Sequence, residues 1–330
     1  MKRPSFFDET KVAQVYPIDY VGIADCARRL DVLPATTDRF RTAVLGIDVQ
    51  NSFCIPGYEL FVGGRSGIEA VECNARAVGW LYENTNHITS LYFTLDKHRA
   101  WQIFHQPYWI DINGEFPKPG TIITESDLLD SFWTVNPAME RISGESYRYL
   151  SQHAVHYVKQ LALSGKQLIV WPFHCMQASV GNAMVSVVEE FVHYHSIARH
   201  SEPVFIEKGQ DTFTEMYSGF KPEVPFDHTG RTIGKTPNIN PIDIIMSHDT
   251  TYMWGHAKSH CVKATVTSIM DEVMAIDKSL LERIFLIEDA SASVVLPSFD
   301  FTDSADEAYR YFAESGINIV RTDNHMIGEH

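Results

Sequence analysis

The chain has 330 residues, of which 45% are hydrophobic and 12% aromatic, and it sets 27 Lys and Arg against 42 Asp and Glu for a net charge of −15. That acidity argues against nucleic acid or an anionic membrane surface as a partner, and no apolar run approaches the ~18 residues needed to span a bilayer. Five cysteines at 26, 54, 73, 175 and 261 have no paired spacing, and MKRPSFFDET has no apolar segment of a secretory signal, so reduced thiols and a cytoplasmic location are expected.

The length fits one or two domains. Residues 1–40 read as an extension with a short helix over 20–30. Thr42–Asp48 (TAVLGID) is a nearly continuous apolar run ending in an acid, the pattern of a strand buried on both faces of a parallel sheet. Residues 53–64 read as a loop. The spacing of Ile68, Val71, Ala75, Val78 and Leu81 predicts a helix over 66–84. Ile88–Leu95 is a second buried strand, running into Asp96 and His98. The span 99–144 is irregular and aromatic, and reads as an excursion covering a site. A helix is expected over 145–162, a third strand over Gln167–Trp171, a helix over 181–194, and a short strand over 203–206 leading to Lys208. The Pro- and Gly-rich 223–240 is a loop, and 241–247 is a helix candidate. Thr251–Trp254 reads as a strand and Val262–Ile276 as a helix. A strand over 283–287, a helix over 304–315 and a strand over 317–321 complete the chain.

Strands alternate with helices almost throughout. The expected fold is therefore α/β: three layers, α/β/α, around a mainly parallel sheet of about six strands. It forms one domain over 41–330, with insertions near 99–144 and 221–240.

Five polar groups fall just after predicted strands: Asp48, the Asp96/His98 pair, His174, Lys208 and Cys261. Parallel strands would bring all of them to one rim. Gly255–Thr265 (GHAKSHCVKAT) places Cys261 where a strand hands over to a helix, and a helix N-terminus favours a thiolate. A nearby cation such as Lys208 would favour it further, and Asp48 can carry its proton. Asp48 fits an ordinary turn or N-cap role equally well, and Lys208 that of an exposed strand-end lysine. Asp96 and His98, two apart in extended chain, point the same way and can hold a divalent ion with His174 as third ligand. As isolated residues they also read as ordinary surface groups.

Six pieces in order carry a resemblance. They are Asp48–Phe53 (DVQNSF), Thr94–His98 (TLDKH), Trp171–Cys175 (WPFHC) with Gly181, Lys208-Gly209 with Tyr217–Phe220 (YSGF), Gly255–Thr265, and Asp289-Ala290. With these the chain resembles the isochorismatase-like cysteine hydrolases, and among them most resembles the nicotinamidases. The resemblance implies a Cys261–Asp48–Lys208 triad, an oxyanion hole from the backbone N–H groups of Ala257 and Cys261, and a cis peptide at His256–Ala257. It implies a divalent metal, zinc first with iron or manganese as others, held by Asp96, His98 and His174. It also implies a small ring-bearing carboxamide substrate walled by Trp171 and Phe53, although Phe53 reads equally well as core packing. A homo-oligomer is expected.

Departures from the family pattern are Ser52 for an acid, Lys97 for a Trp and His260 for a Tyr, together with a longer stretch between His98 and His174. They keep open a metal-independent hydrolase of the isochorismatase or carbamoyl-amide type. They also keep open a non-catalytic binding protein on the same scaffold.

Overall fold

The computed structural model describes residues 1–235, 237, 239–296 and 299–326. Its centre is a six-stranded sheet built from β1 (Thr42–Ile47), β2 (Ser90–Asp96), β3 (Val204–Lys208), β4 (Thr250–Gly255), β5 (Ile284–Ile287) and β6 (Asn318–Val320). The order across the sheet is β6-β5-β4-β1-β2-β3, and every pairing is parallel. The chain builds outward from β1 through β2 to β3, then returns to β4 on the other side of β1. Between β1 and β4 the direction of building reverses, and at such a switch point a crevice opens above the carboxyl ends of the strands.

The continuous apolar runs of β1 and β4 are explained by burial on both faces; every residue of each is buried. Alternate residues face opposite layers. Val44, Leu91, Phe93 and Trp254 pack with helices α1 (Tyr20–Ala27), α2 (Glu69–Glu83) and α4 (Ser186–Arg199). Ala43, Leu45, Ile47 and Met253 pack with Pro241–Met246, α5 (Lys263–Ile276) and α6 (Thr302–Ser315). The result is the three-layer α/β/α arrangement expected from the alternation. The first forty residues are part of it: Ile23 and Ala27 sit in the first core, and Asp38 makes a buried ion pair with Arg199 of α4 (2.5 Å).

Two expectations change. The run Gln167–Trp171 is not a strand of the main sheet. Only Leu168–Ile169 is extended, and it pairs antiparallel with Ile122–Ile123 in a separate ribbon. The run is apolar because it is buried in a third core, where Leu168, Val170 and Trp171 pack against Ile103, Phe104, Trp109 and the helix α3 (Tyr147–Leu163). The span 99–144 is likewise more ordered than its composition suggests. It carries short helices at Glu125–Leu129 and Met139–Ser143 and supplies Ile123, Val135 and Met139 to that third core. In the 221–240 loop, positions 236 and 238 lie outside the described residues. Its Asp227 accepts hydrogen bonds from Tyr149 of α3 (2.7 Å) and from the Thr229 N–H (2.8 Å).

At the switch point β1 and β4 approach closely. Gly255 has φ +134°, and a Cβ there would lie 2.1 Å from the Ile47 carbonyl oxygen. Gly255→Ala is therefore expected to force the central strands apart and cost roughly 3 kcal/mol or more, read as a lower midpoint in chemical denaturation; an unchanged midpoint would contradict this packing argument.

Candidate active site

The crevice over β1 and β4 holds the acidic and basic groups that the strand ends deliver. Lys208, the last residue of β3, is buried, and its Nζ lies 2.9 Å from Asp48 Oδ2 and 3.0 Å from Asp96 Oδ1. The same Nζ donates to the Met216 carbonyl (3.0 Å) and to Cys261 Sγ (3.8 Å). Burial alone would discharge this lysine, but the two carboxylates outweigh it and hold its pKa well above the usual value.

Asp48 follows β1 directly and adopts a left-handed backbone at φ +49°. This rare conformation for a non-glycine residue turns its carboxyl into the crevice. Its N–H donates to the Thr94 carbonyl (3.0 Å), and its Oδ1 accepts from the Thr94 hydroxyl (2.7 Å). Cys261 lies in a π-helical turn, Lys258–Val262, that joins β4 to α5. Such turns place side chains off the regular helical register. Burial raises the Cys261 thiol well above the usual range, and Lys208 opposes the rise. Desolvation thus works against the thiolate that helix and cation favour. Burial raises Asp48 as well, again against Lys208.

The second group of residues is contiguous with the first. Ligand atoms of Asp96, His98 and His174 lie within 4.8 Å of one another. Asp96 Oδ2 is 3.1 Å from His98 Nε2. The Nδ1 of His98 meets the Gly209 carbonyl (2.9 Å), and the Nδ1 of His174 meets the Pro172 carbonyl (2.8 Å). A carbonyl accepts only, so each Nδ1 carries a hydrogen, and Nε2 is the nitrogen each ring can offer to a metal. Burial lowers His174 to about 3, which favours its neutral ring. One carboxylate and two imidazoles fit a divalent metal with open positions. Gly209, at φ +75°, makes the cluster possible, since a Cβ there would lie 2.5 Å from Asp96 Oδ1. His174 reaches the cluster from the third core and not from the end of a central strand.

Beside these groups is a cavity of about 370 Å³ whose lining includes Cys261, Ala257, Asp96 and His174. Phe53 and Trp171 line it as well. The Phe53 ring stands edge-on to His174 (5.5 Å between centroids), and Trp171 Nε1 donates to the Tyr217 hydroxyl (2.9 Å). The Ala257 N–H has no acceptor among the described residues. The peptide His256–Ala257 is cis.

The departures from the family pattern have local accounts. Ser52 Oγ donates to Glu59 Oε2 (2.9 Å) and accepts from the Cys175 N–H (2.9 Å), so the serine links a carboxylate to the Cys175 backbone. Lys97 pairs with Glu207 (2.9 Å) and takes no part in lining the cavity. His260 lines the cavity beside the Trp171 and Tyr217 rings, 5.5 Å from each.

The sequence reading missed two groups. Glu215 lines the cavity and is pushed well above the usual carboxyl range by burial; no pattern marks it, since it lies in an irregular segment. Gln50 clamps the Asp96 backbone, accepting from its N–H (2.7 Å) and donating to its carbonyl (2.8 Å). Its place two residues after Asp48 was the available signal.

No protein-family model matches the chain, and no curated protein sequence matches it. Solved structures do. Yeast nicotinamidase bound to the inhibitor nicotinaldehyde matches with a TM-score of 0.53 at 16% identity, covering 85% of this chain and 99% of that one. Another structure of the yeast nicotinamidase gives 0.51 at 18% identity, covering 84% and 99%. At such identity the likeness speaks for architecture alone: the chain shares the three-layer α/β/α fold of these nicotinamidase structures.

Proposed function

We propose that the chain is a cysteine amidohydrolase that cleaves a small ring-bearing carboxamide, nicotinamide first, to the acid and ammonia. The observation that carries this reading is the set of contacts at Lys208, whose Nζ meets Asp48, Asp96 and Cys261 Sγ at 2.9, 3.0 and 3.8 Å beside an aromatic cavity.

The chemistry follows from the groups present. Asp48 takes the Cys261 proton as Sγ attacks the amide carbon. The carbonyl electron pair moves onto oxygen, facing the Ala257 and Cys261 N–H groups. Collapse of this intermediate breaks the C–N bond, Asp48 returns the proton to nitrogen, and ammonia leaves. Asp48 then takes a proton from water, whose oxygen attacks the thioester; Sγ departs and is reprotonated. Lys208 stays charged throughout and offsets the charge that develops on sulfur. Trp171 and Phe53 hold the ring of the substrate. Asp96, His98 and His174 would hold a divalent metal, zinc first, which when bound supplies a Lewis-acidic centre for a ring nitrogen.

Cys261→Ala should lower ammonia release from nicotinamide by roughly 10⁴-fold or more while the thermal midpoint stays close to that of the parent; an active variant would sink the reading. Dialysis against a chelator should remove turnover and added zinc should restore it; unchanged turnover in a metal-free preparation would reject the metal's part. Lys208→Met leaves Asp48 and Asp96 buried and facing each other without a cation, so a loss of roughly 3–5 kcal/mol in unfolding free energy is expected. Denaturant titration measures it, and a variant as stable as the parent would contradict the electrostatic argument.

A further inference from the structure

The segment that carries Ala257 runs beside residues 291–294, and polar contacts tie the two together. The Gly255 N–H donates to Ser291 Oγ (3.2 Å), and the Val294 N–H donates to Ser259 Oγ (3.1 Å). Between these, Ala292 holds both neighbours of Ala257. Its N–H donates to His256 Nδ1 (3.4 Å), and its carbonyl accepts from the Lys258 N–H (2.7 Å). The imidazole of His256 is fully buried, and its Nε2 lies 3.0 Å from Oδ1 of Asn74, itself buried on α2. Because Nδ1 accepts a backbone N–H, Nε2 carries the hydrogen and donates to Asn74. Burial lowers the ring to about 3, so it is neutral in this arrangement. On its other side His256 is fixed through its own N–H, which donates to the Ile47 carbonyl at the end of β1 (2.9 Å).

An apolar residue at 256 would fill the same volume, yet it would leave the Ala292 N–H and the Asn74 oxygen buried without partners. The imidazole therefore spans from α2 to the strip at 292, immediately before Ala257, a cavity-lining residue whose N–H has no acceptor among the described residues. Resting on the amidohydrolase reading, we propose that His256 is a positioning residue for the oxyanion hole: held between Asn74 and Ala292, it sets the direction of the Ala257 N–H. A core histidine that only satisfied its neighbours would cost stability on replacement and leave the chemistry of each folded molecule unchanged.

The test uses the full metal-loaded chain with His256→Leu, His256→Gln and Asn74→Leu. Two probes are needed: nicotinamide for turnover, and pyridine-3-carbaldehyde. The aldehyde accepts the Cys261 sulfur at its carbonyl carbon and places the resulting alkoxide where the amide oxyanion would lie. His256→Leu is expected to lower kcat on the order of 10²-fold with KM within roughly threefold, and to weaken aldehyde binding in proportion. Nicotinate affinity and the pH profile of Cys261 alkylation by iodoacetamide should not move. The Gln side chain can accept from Ala292 and donate to Asn74, so His256→Gln should recover most of the loss.

The proposal is overturned if folded His256→Leu keeps kcat and aldehyde affinity within about twofold of the parent, or if alkylation falls in step with kcat, which would mean the thiol itself had moved. Should His256→Leu fail to fold, Asn74→Leu, which frees the other end of the ring, carries the same comparison with the same expected and contrary results. A parent chain that releases no ammonia from any amide yet binds the aldehyde at Cys261 would sink the amidase reading alone, and the aldehyde affinities would still decide the role of His256.

Discussion

One buried ammonium organises this molecule. Lys208 is withdrawn from water at the end of an edge strand, a position that by itself favours the neutral amine. It stays charged because Asp48 and Asp96 approach it from β1 and β2, so three adjacent strand ends are held in register by charge as well as by the ladder. The arrangement is unforgiving. Two carboxylates and a thiol meet the Lys208 ammonium in a buried crevice, and a carboxylate left unpaired there is expensive. The surplus of acidic groups also makes a divalent cation at Asp96, His98 and His174 electrostatically welcome. The candidate metal ligands and the groups around Lys208 thus share one charge balance, with Asp96 belonging to both.

The backbone around the crevice is specialised to the same end. Asp48 and Cys175 both adopt left-handed conformations without being glycines, at φ +49° and +45°. Each follows or neighbours a group that must face the crevice, and each is pinned by neighbours: Asp48 by Thr94, and Cys175 by Ser52 and His98. The π-helical turn around Cys261 is a third irregularity. Regular strands and helices supply rigidity, and at these three places a departure from regularity accompanies a polar side chain at the crevice.

Much of this was legible in the sequence because burial on two faces leaves an unmistakable mark. TAVLGID and the run before Gly255 could only be central strands, and the residues ending them could only gather at one rim. The failures have equally physical causes. Gln167–Trp171 is as apolar as a central strand, yet apolarity records burial without recording which core does the burying; here it is the third one. Glu215 is a buried acid that looks in sequence like any loop acid, because the burial that raises its pKa leaves no mark on the local sequence. The same holds for His256, whose partners Asn74 and Ala292 lie 182 and 36 residues away. The thiol of Cys261 was read from helix and cation alone. Desolvation, the stronger influence, is invisible until the crevice is closed.

The cavity is walled by all three cores. Cys261 belongs to the core beneath α5 and α6, Phe53, Val62, Ala257 and Val294 to the core beneath α1, α2 and α4, and Trp171 to the third core around α3. Cys261 and the Trp171 part of the wall are therefore anchored in different bodies of packed side chains. Changes inside the inserted core can reshape the pocket without disturbing the strands that carry Asp48, Lys208 and Cys261. Sequence change within the insertion is thus a route by which the lining can vary while the strand ends keep their places.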